Sequence, residues 1–232
     1  MGTNLTVVQN TGLEFIQGCF DNLAQGQRVD LTYGGVTYSY VANYFGATSN
    51  DLVLRWANTR LLGWGDNGSG QLGKGDVGRS WVPVPVDMTG VLAGKTVVAM
   101  GTGYDQSLAL CSDGTVAGWG YNYDVQLGFA SASSTVQAPC LLDRSGVLAG
   151  KTVVAIAAGA SHGLAICADG AVAAWGANGS GQLGDESTTQ SKVPVLVTRA
   201  GVLAGKSVVA VAAGHCARTG PWPHGAIMPV VS

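Results

Sequence analysis

The stretch Trp175-Gly-Ala-Asn-Gly-Ser-Gly-Gln-Leu-Gly184 decides the fold, because variants of it recur at an almost fixed interval. The two related stretches are Trp64–Gly73 and Trp119–Gly128, so the tryptophans lie 55 and 56 residues apart. A second marker, Gly-Val-Leu-Ala-Gly-Lys, first occurs at Gly90 and returns with the same spacing. A fixed period of this length indicates a repeat architecture, in which each unit packs against the next.

Each unit carries the pattern of four short strands. In one unit the β-branched run 152–158 ends at Gly159, and alternating residues follow on both sides of Asp169-Gly170. An Asp-Gly pair between such runs predicts a two-residue type I′ hairpin. The later Val193-Pro194-Val195 segment suits an edge strand, because proline cannot donate to a central ladder. Four strands in about 55 residues is the content of one propeller blade.

These residues resemble the regulator-of-chromosome-condensation type of β-propeller repeat. The resemblance rests on the pattern G-W-G-x-N-x-x-G-Q-L-G, the later proline segment and an apolar strand closed by A-A-G, and it covers about residues 61–214. It implies a ring or arc of β-sheets that serves as a binding platform. The best-known member is an exchange factor for a small GTPase, which makes exchange activity a weaker alternative. The positions expected to pack blade on blade are Trp64, Trp119, Trp175, Gly65, Gly120, Gly176, Gln71, Gln126 and Gln182.

The sequence predicts an all-β fold: a partial β-propeller of three repeats preceded by an N-terminal β meander. Residues 1–60 form the meander, 61–216 the three repeats, and 217–232 an irregular tail, non-native or frame-shifted, in which the strand pattern is lost. The segment ending at Asn50–Leu54 is similar to the end of autotransporter-associated β-strand repeats. That resemblance implies a fragment of a larger secreted or cell-surface bacterial protein. Three repeats leave strand edges uncovered, so self-association through blade edges is expected.

Composition, net charge and cysteine count limit the classes of protein to which the chain can belong. Charged residues make up 11% of the chain and hydrophobic residues 47%, so the chain is expected to fold. The net charge of −2, without basic blocks, does not fit a nucleic-acid binder. No signal peptide and no apolar run of about 18 residues occurs, so membrane insertion is not expected. Five cysteines without a C-x-x-C pair predict neither a disulfide scaffold nor a zinc site. No cofactor is expected, and Cys111 and Cys167 are predicted to be buried free thiols.

The stretch Gly159-Ala160-Ser161-His162-Gly163 matches the G-x-S-x-G pattern of esterases. An ester or lactone hydrolase would use Ser161 as nucleophile, a histidine (His162, His215 or His224) as base, and Asp169 as acid. A strand rather than a helix follows the serine, and the related unit has a different sequence at 103–107. A structural turn is therefore favoured over a nucleophile.

The oxygen-rich loop at Asp66 and Asn67 could hold calcium, but it lacks the spaced carboxylates of a calcium site, so a tight turn is favoured. The favoured function is a non-catalytic binding or scaffold module for a protein or carbohydrate partner, with the hydrolase as alternative. Variable loops are expected to contact that partner through Tyr121, Asn122, Tyr123, Asp124, Asp185 and Glu186.

Overall fold

The computed structural model describes residues 5–8, 23, 27–33, 36–44, 52–56, 60–130, 133–214, 226–227 and 230–231. Within these ranges the regular structure is β-strand, apart from a 3-10 turn at Gly201–Leu203. None of the helical structure in these ranges is long and apolar enough to cross a membrane. The predicted all-β class is confirmed.

The N-terminal residues form an antiparallel sheet of four strands. The strands are β1 (Leu5–Val8), β2 (Arg28–Tyr33), β3 (Val36–Asn43) and β4 (Leu52–Trp56), in the order β1-β4-β3-β2. Tyr40 and Ala42 pack with Leu52 and Leu54 in a separate small core. Strands β2, β3 and β4 are the predicted meander. The likeness of this region to autotransporter repeats stays a prediction.

A two-stranded half-blade and two complete blades follow. The leading half-blade pairs β5 (Leu62–Gly65) with β6 (Ser80–Pro85). The first blade consists of β7 (Val97–Thr102), β8 (Gln106–Cys111), β9 (Val116–Tyr121) and β10 (Thr135–Leu141). The second blade consists of β11 (Val153–Ala158), β12 (His162–Cys167), β13 (Val172–Gly176) and β14 (Ser191–Leu196). Because Trp64-Gly65 corresponds to Trp119-Gly120 in β9, the leading half-blade holds the third and fourth strands of a blade.

Packing between blades supplies the core. The second strands, β8 and β12, are buried along their whole length because they are covered on both faces. Leu108 and Leu110 of the first blade pack with Val153, Ala165 and Trp175 of the second. A fully buried leucine contributes about 1.5–3 kcal/mol. The fourth strands are half-exposed edges, and β14 carries Pro194 as predicted.

The Asp-Gly hairpins exist, but the predicted type I′ turn is wrong. A type I′ turn needs positive φ at both central residues, whereas Gly114 (φ +78°) is left-handed and Asp113 is not. The Gly114 amide donates to the Cys111 carbonyl, and the Cys111 amide donates to the Thr115 carbonyl. This is the three-residue loop in which a type I turn is followed by a left-handed glycine.

The tail is not wholly irregular, which corrects the loss of strand expected for residues 217–232. β15 (Ser207–Val208) pairs with β18 (Val230–Val231), and β16 (Ala212–Ala213) pairs with β17 (Ala226–Ile227). These four short strands are the trailing half-blade, which holds the first and second strands of a blade. Backbone pairing of apolar residues restores the strand despite the changed sequence. Residues 215–225 lie outside the described part of the chain.

Candidate functional site

The repeated tryptophan joins each blade to the one before it. The Trp119 indole N–H donates to the Gln71 carbonyl at 2.9 Å, and the Trp175 indole N–H donates to the Gln126 carbonyl at 2.9 Å. Both tryptophans are almost completely buried. The glycine that ends each Gln-Leu-Gly triplet, such as Gly128, leaves room for the ring, because an added Cβ would lie 2.8 Å from Trp175.

The glutamine side chains fold back onto their own loops. The side-chain oxygens of Gln71, Gln126 and Gln182 each accept a hydrogen bond from the amide two residues earlier, at 2.9 to 3.0 Å. The backbone carbonyls of Gln71 and Gln126 are therefore held toward the following blade. Gln126 is buried, whereas Gln182 at the trailing end is half-buried.

A buried asparagine fixes each of these loops. The side-chain oxygen of Asn67 accepts the Leu72 amide at 2.8 Å, and its side-chain nitrogen donates to the Asp76 carbonyl at 2.8 Å. Asn122 and Asn178 make equivalent bonds to Leu127 and Leu183. Asn122 was expected to contact a partner, but its side chain is buried. The side-chain amide oxygen instead accepts a hydrogen bond from the Leu127 amide within the loop.

The calcium candidates Asp66 and Asn67 make contacts within their own loop. The Asp66 carboxylate accepts hydrogen bonds from the Gly68 amide and from the Gln71 side chain, both at 3.2 Å. Within the described ranges, no group of three or more His, Cys, Asp or Glu side chains is arranged to hold a metal ion.

The first Trp-Gly pair lies in a different environment from the other two. Trp64 is 65% exposed, against 1% for Trp119 and 0% for Trp175. Gly65 and Gly120 share a left-handed backbone, with φ of +104° and +103°. An added Cβ at Gly120 would lie 2.2 Å from the Asp105 carbonyl, whereas one at Gly65 would meet nothing within 4 Å. In a complete blade the second strand lies beside the third strand. The strand β5 has the position of a third strand, and the place of the second strand beside Gly65 is open.

A cleft of about 300 Å³ lies between β5 of the leading half-blade and the first blade. Trp64 and Tyr104, which are 65% and 70% exposed, both line it, together with the half-exposed Met100. Large exposed apolar surface in one concave place is typical of an interaction site. Its lining residues are Leu62, Gly63, Trp64, Asp66, Gln71, Leu72, Val86, Met100, Thr102, Gly103, Tyr104, Asp105, Gln106, Ser107 and Trp119.

Two carboxylates lie at one side of the cleft. The Gln71 side-chain nitrogen donates to Asp66 at 3.2 Å and to Asp105 at 3.0 Å, and so links the leading half-blade to the first blade. Burial, and then the negative charge of Asp66, raises the pKa of the Asp105 carboxyl. The cleft therefore combines aromatic surface with negative charge.

The structure does not assemble the proposed hydrolase triad from its described members. Ser161 precedes β12 and Asp169 follows it, so at 3.3 Å per strand residue the two lie about 20 Å apart. The Asp169 carboxylate instead accepts a hydrogen bond from the Lys151 ammonium. The His162 ring is buried and packs over Gly159, where an added Cβ would lie 2.2 Å from it. His215 and His224 lie outside the described residues.

The remaining loop candidates are partly exposed. The rings of Tyr121 and Tyr123 stack with centroids 6.3 Å apart, and Tyr123 is exposed. Asp124 is half-buried, and its amide donates to Gln126 at 3.0 Å. Asp185 is half-buried because its carboxylate accepts hydrogen bonds from Asn178 and Ser187, whereas Glu186 is exposed with φ +63°. Their role in binding stays a prediction.

Sequence reasoning missed the cleft residues Tyr104 and Asp105 and the bridging residue Gln106. The Gln106 side-chain nitrogen donates to the Gly159 carbonyl at 2.9 Å and to the His162 carbonyl at 3.1 Å, which ties the first blade to the second. One signal was present: residues 103–107 differ from the corresponding 159–163. The position of Tyr104 in the same cleft as Trp64 had no signal in the sequence.

Comparisons with known proteins agree with this geometry. Models described as the regulator of chromosome condensation (RCC1) repeat match residues 59–110, 113–166 and 169–216, and a second model of that description matches 153–182. The human E3 ubiquitin-protein ligase HERC2 is 38% identical over 159 residues, which is 68% of this chain and 3% of that protein. The Xenopus laevis protein RCC2 homolog is 29% identical over 80% of this chain and 35% of its own length.

Solved structures show the same fold. The structure of Kap60 bound to yeast RCC1 (Prp20) matches with a TM-score of 0.59 and 20% identity over 69% of this chain and 37% of that chain. Human WBSCR16 matches with a TM-score of 0.57 and 25% identity over 84% of this chain and 44% of that chain. This chain thus spans less than half the length of each of these relatives and structures.

Proposed function

Since the chain belongs to the regulator of chromosome condensation (RCC1) repeat family, we propose that it is a non-catalytic protein-binding module, which accepts an extended segment of its partner at the unpaired edge of β5. The observation that carries this proposal is the open cleft beside Trp64. Prp20p from Saccharomyces cerevisiae, a structure similar to this chain, binds Gsp1p and histones. Another similar structure contains Kap60 bound to yeast RCC1. These descriptions support protein binding as the class of function.

The backbone of β5 favours an extended partner. Among the described strands β5 pairs only with β6, whereas β9 and β13 each pair with strands on both sides. An unpaired strand edge offers a row of amide and carbonyl groups, and an added strand satisfies them. The cleft of about 300 Å³ gives this added strand room for its side chains.

The complete blades indicate which side chains suit the site. Ser107 lies opposite Trp119 in the β8–β9 pair, and Gly163 lies opposite Trp175 in the β12–β13 pair. Both residues are small, and at Gly163 even a Cβ would be 2.4 Å from the Trp175 ring. We therefore expect the docked segment to carry a small residue opposite Trp64, followed by apolar residues.

The test uses a fluorescent peptide with the sequence of this chain's own second strand, Gly103–Ser112, with Cys111→Ser. Its binding to the full chain is measured by fluorescence anisotropy. We expect saturable binding that Trp64→Ala weakens at least tenfold. Trp81→Ala is the matched control, because Trp81 is also exposed but does not line the cleft.

Equal binding of a scrambled peptide, or equal affinity of the Trp64→Ala variant, would contradict the proposal.

The alternative function, a hydrolase, would need Ser161 and a histidine outside the described residues. Turnover of a panel of esters by the native chain, compared with the Ser161→Ala variant, tests this alternative. The origin in a larger secreted or cell-surface bacterial protein rests on the N-terminal resemblance alone.

A further inference from the structure

The contact between the leading half-blade and the first blade, here called the first joint, has negative charge that the contact between the two complete blades, the second joint, lacks. We propose that the segment docked beside β5 carries an arginine one residue before the small residue opposite Trp64. Its guanidinium would donate to the carbonyls of Gly103 and Gln106 and to the carboxylate of Asp105. This inference rests on the proposed function, because it names the side chain that the same cleft selects.

The second joint shows what a second strand offers to the next blade. Gln106 is the first residue of β8, one residue before Ser107, which lies opposite Trp119. The Gln106 side-chain nitrogen donates to the Gly159 carbonyl at 2.9 Å and to the His162 carbonyl at 3.1 Å. These carbonyls flank the turn between β11 and β12 of the second blade. The first side chain of a second strand therefore acts as a hydrogen-bond donor toward the turn of the following blade.

The first blade presents the corresponding acceptors at the cleft. Gly103 and Gln106 occupy the positions of Gly159 and His162, and both line the cleft. The two turns are closed in the same way, because the Gly103 amide donates to the Gln106 carbonyl at 2.9 Å. The Gly159 amide donates to the His162 carbonyl at the same distance. A strand added beside β5 would therefore bring its first side chain to the carbonyls of Gly103 and Gln106.

The side chains around these carbonyls are not those of the second joint. The first blade has Tyr104 and Asp105 where the second blade has Ala160 and Ser161. Asp66 in the leading half-blade likewise stands where the next unit has a tyrosine. The first joint thus combines the backbone acceptors of the repeat with two carboxylates that the second joint does not have.

The two carboxylates are not needed to build a joint. The Gln71 side-chain nitrogen donates to Asp66 at 3.2 Å and to Asp105 at 3.0 Å. The corresponding nitrogen of Gln126 is buried and donates no hydrogen bond to a described residue. Both joints nevertheless have the same 2.9 Å bond from the tryptophan to the glutamine carbonyl. The negative charge is therefore an addition to the repeat, and it is available for a ligand.

The charge of Asp105 lacks a cationic partner. Within the described ranges, no lysine, arginine or histidine nitrogen lies within 4.0 Å of its carboxylate. Burial, and then the negative charge of Asp66, raises the pKa of the Asp105 carboxyl, and a cation beside it would favour the ionised form. Asp66 has Arg79 at 4.0 Å, but both side chains of this pair are exposed, and exposed ion pairs contribute little.

Arginine suits this combination of groups better than lysine does. A guanidinium carries five N–H donors in a planar fork, so one side chain can serve two carbonyls and a carboxylate together. It is also attracted to the faces of aromatic rings. Trp64 and Tyr104, which are 65% and 70% exposed, line the same cleft. A lysine ammonium is more strongly hydrated and has three donors.

The test compares fluorescent peptides that differ at one position. The parent is the Gly103–Ser112 peptide with Cys111→Ser, in which Gln106 is the side chain brought to the turn. We expect Gln106→Arg in the peptide to raise its affinity for the full chain about tenfold, because charge-assisted hydrogen bonds replace neutral ones. Gln106→Glu in the peptide should lower the affinity. Ser112→Arg is the matched control, since it adds the same charge at the other end of the peptide and should change the affinity by no more than about twofold.

A variant of the chain locates the charge that is recognised. Asp105→Ser introduces the residue that the second blade has at this position, so the turn is expected to form. This variant should reduce the preference for the arginine peptide over the parent to about threefold or less, because the carboxylate is lost. Asp143→Asn is the matched control, since Asp143 is half-buried and does not line the cleft. Its preference should equal that of the native chain.

The inference and the proposed function can fail separately. An arginine peptide that binds no better than the parent, an equal gain with Ser112→Arg, or a preference that survives Asp105→Ser would each overturn the inference. In each of these cases, binding of the parent peptide that depends on Trp64 would retain strand addition at β5. If neither the parent nor the arginine peptide binds the native chain, the proposed function fails as well.

Discussion

The close approach of Gly128 to the second blade makes a quantitative prediction. Gly128→Ala places a Cβ 2.2 Å from Leu142 and 2.8 Å from Trp175, and both side chains are buried. The left-handed φ of +73° costs an alanine about 1–2 kcal/mol. Overpacking of a buried contact adds about 1–3 kcal/mol. We therefore expect Gly128→Ala to lower the free energy of unfolding by about 2–5 kcal/mol.

Gly150→Ala is the matched control for this prediction. Gly150 has φ +70°, but an added Cβ would meet nothing within 4 Å, so only the backbone cost of about 1–2 kcal/mol applies. Urea unfolding followed by far-UV circular dichroism measures both variants. With an m-value of about 2 kcal/mol/M, an excess loss of about 2 kcal/mol lowers the midpoint by about 1 M more for Gly128→Ala. Equal midpoints would show that the blade contact is not tight and would refute the reasoning.

Three further predictions concern buried and charged groups. Gln106→Leu removes both bonds to second-blade carbonyls and should cost about 2–4 kcal/mol in urea unfolding, because buried acceptors lose their donor; a change below 0.5 kcal/mol would contradict this. Burial raises the pKa of the Cys111 and Cys167 thiols to about 11, so at pH 8 iodoacetamide, followed by peptide mass spectrometry, should modify them only after unfolding. Despite the opposing effect of burial, hydrogen bonds from Lys151 and the backbone lower the pKa of Asp169, so its stabilisation is present above the unfolded pKa and is lost as the pH falls through the folded pKa. The difference in urea midpoint between native and Asp169→Asn chains should therefore shrink in acid, and a difference that grows would refute the assignment.

The sequence predicted the blade because its signals are local. Glycine turns, alternating strands and the edge proline Pro194 all act within one unit, and the 55-residue spacing shows that the units are equivalent. The four strands assigned to one unit, from the run 152–158 to the Val193-Pro194-Val195 segment, are the four strands of the second blade. The sequence did not predict that the described repeats divide into two complete blades flanked by two half-blades. The pairing of β17 with β16 was missed because the tail no longer has the repeat's residues, while backbone pairing tolerates the change.

The candidate site was harder to predict than the fold. Asn122 was interpreted as a contact residue, although the recurrence of asparagine at Asn67 and Asn178 indicates a common role inside the loop. Tyr104 and Asp105 gain their significance from the leading half-blade, which lies beside them only in the folded chain. The spacing of a sequence shows which positions repeat. It does not show that the cleft forms at Trp64, where the first and second strands of the leading blade are not among the described strands.

The same Trp-Gly pair therefore has two roles that depend on its neighbours. Where a preceding blade exists, as for Trp119 and Trp175, the ring supplies core packing and one buried hydrogen bond. Where no described blade covers it, as for Trp64, the same ring and left-handed glycine remain in place and the ring is exposed. Strand pairing at a binding surface built in this way needs no residues beyond those of the repeat, and it requires what the in-chain joint requires: a small residue opposite the ring.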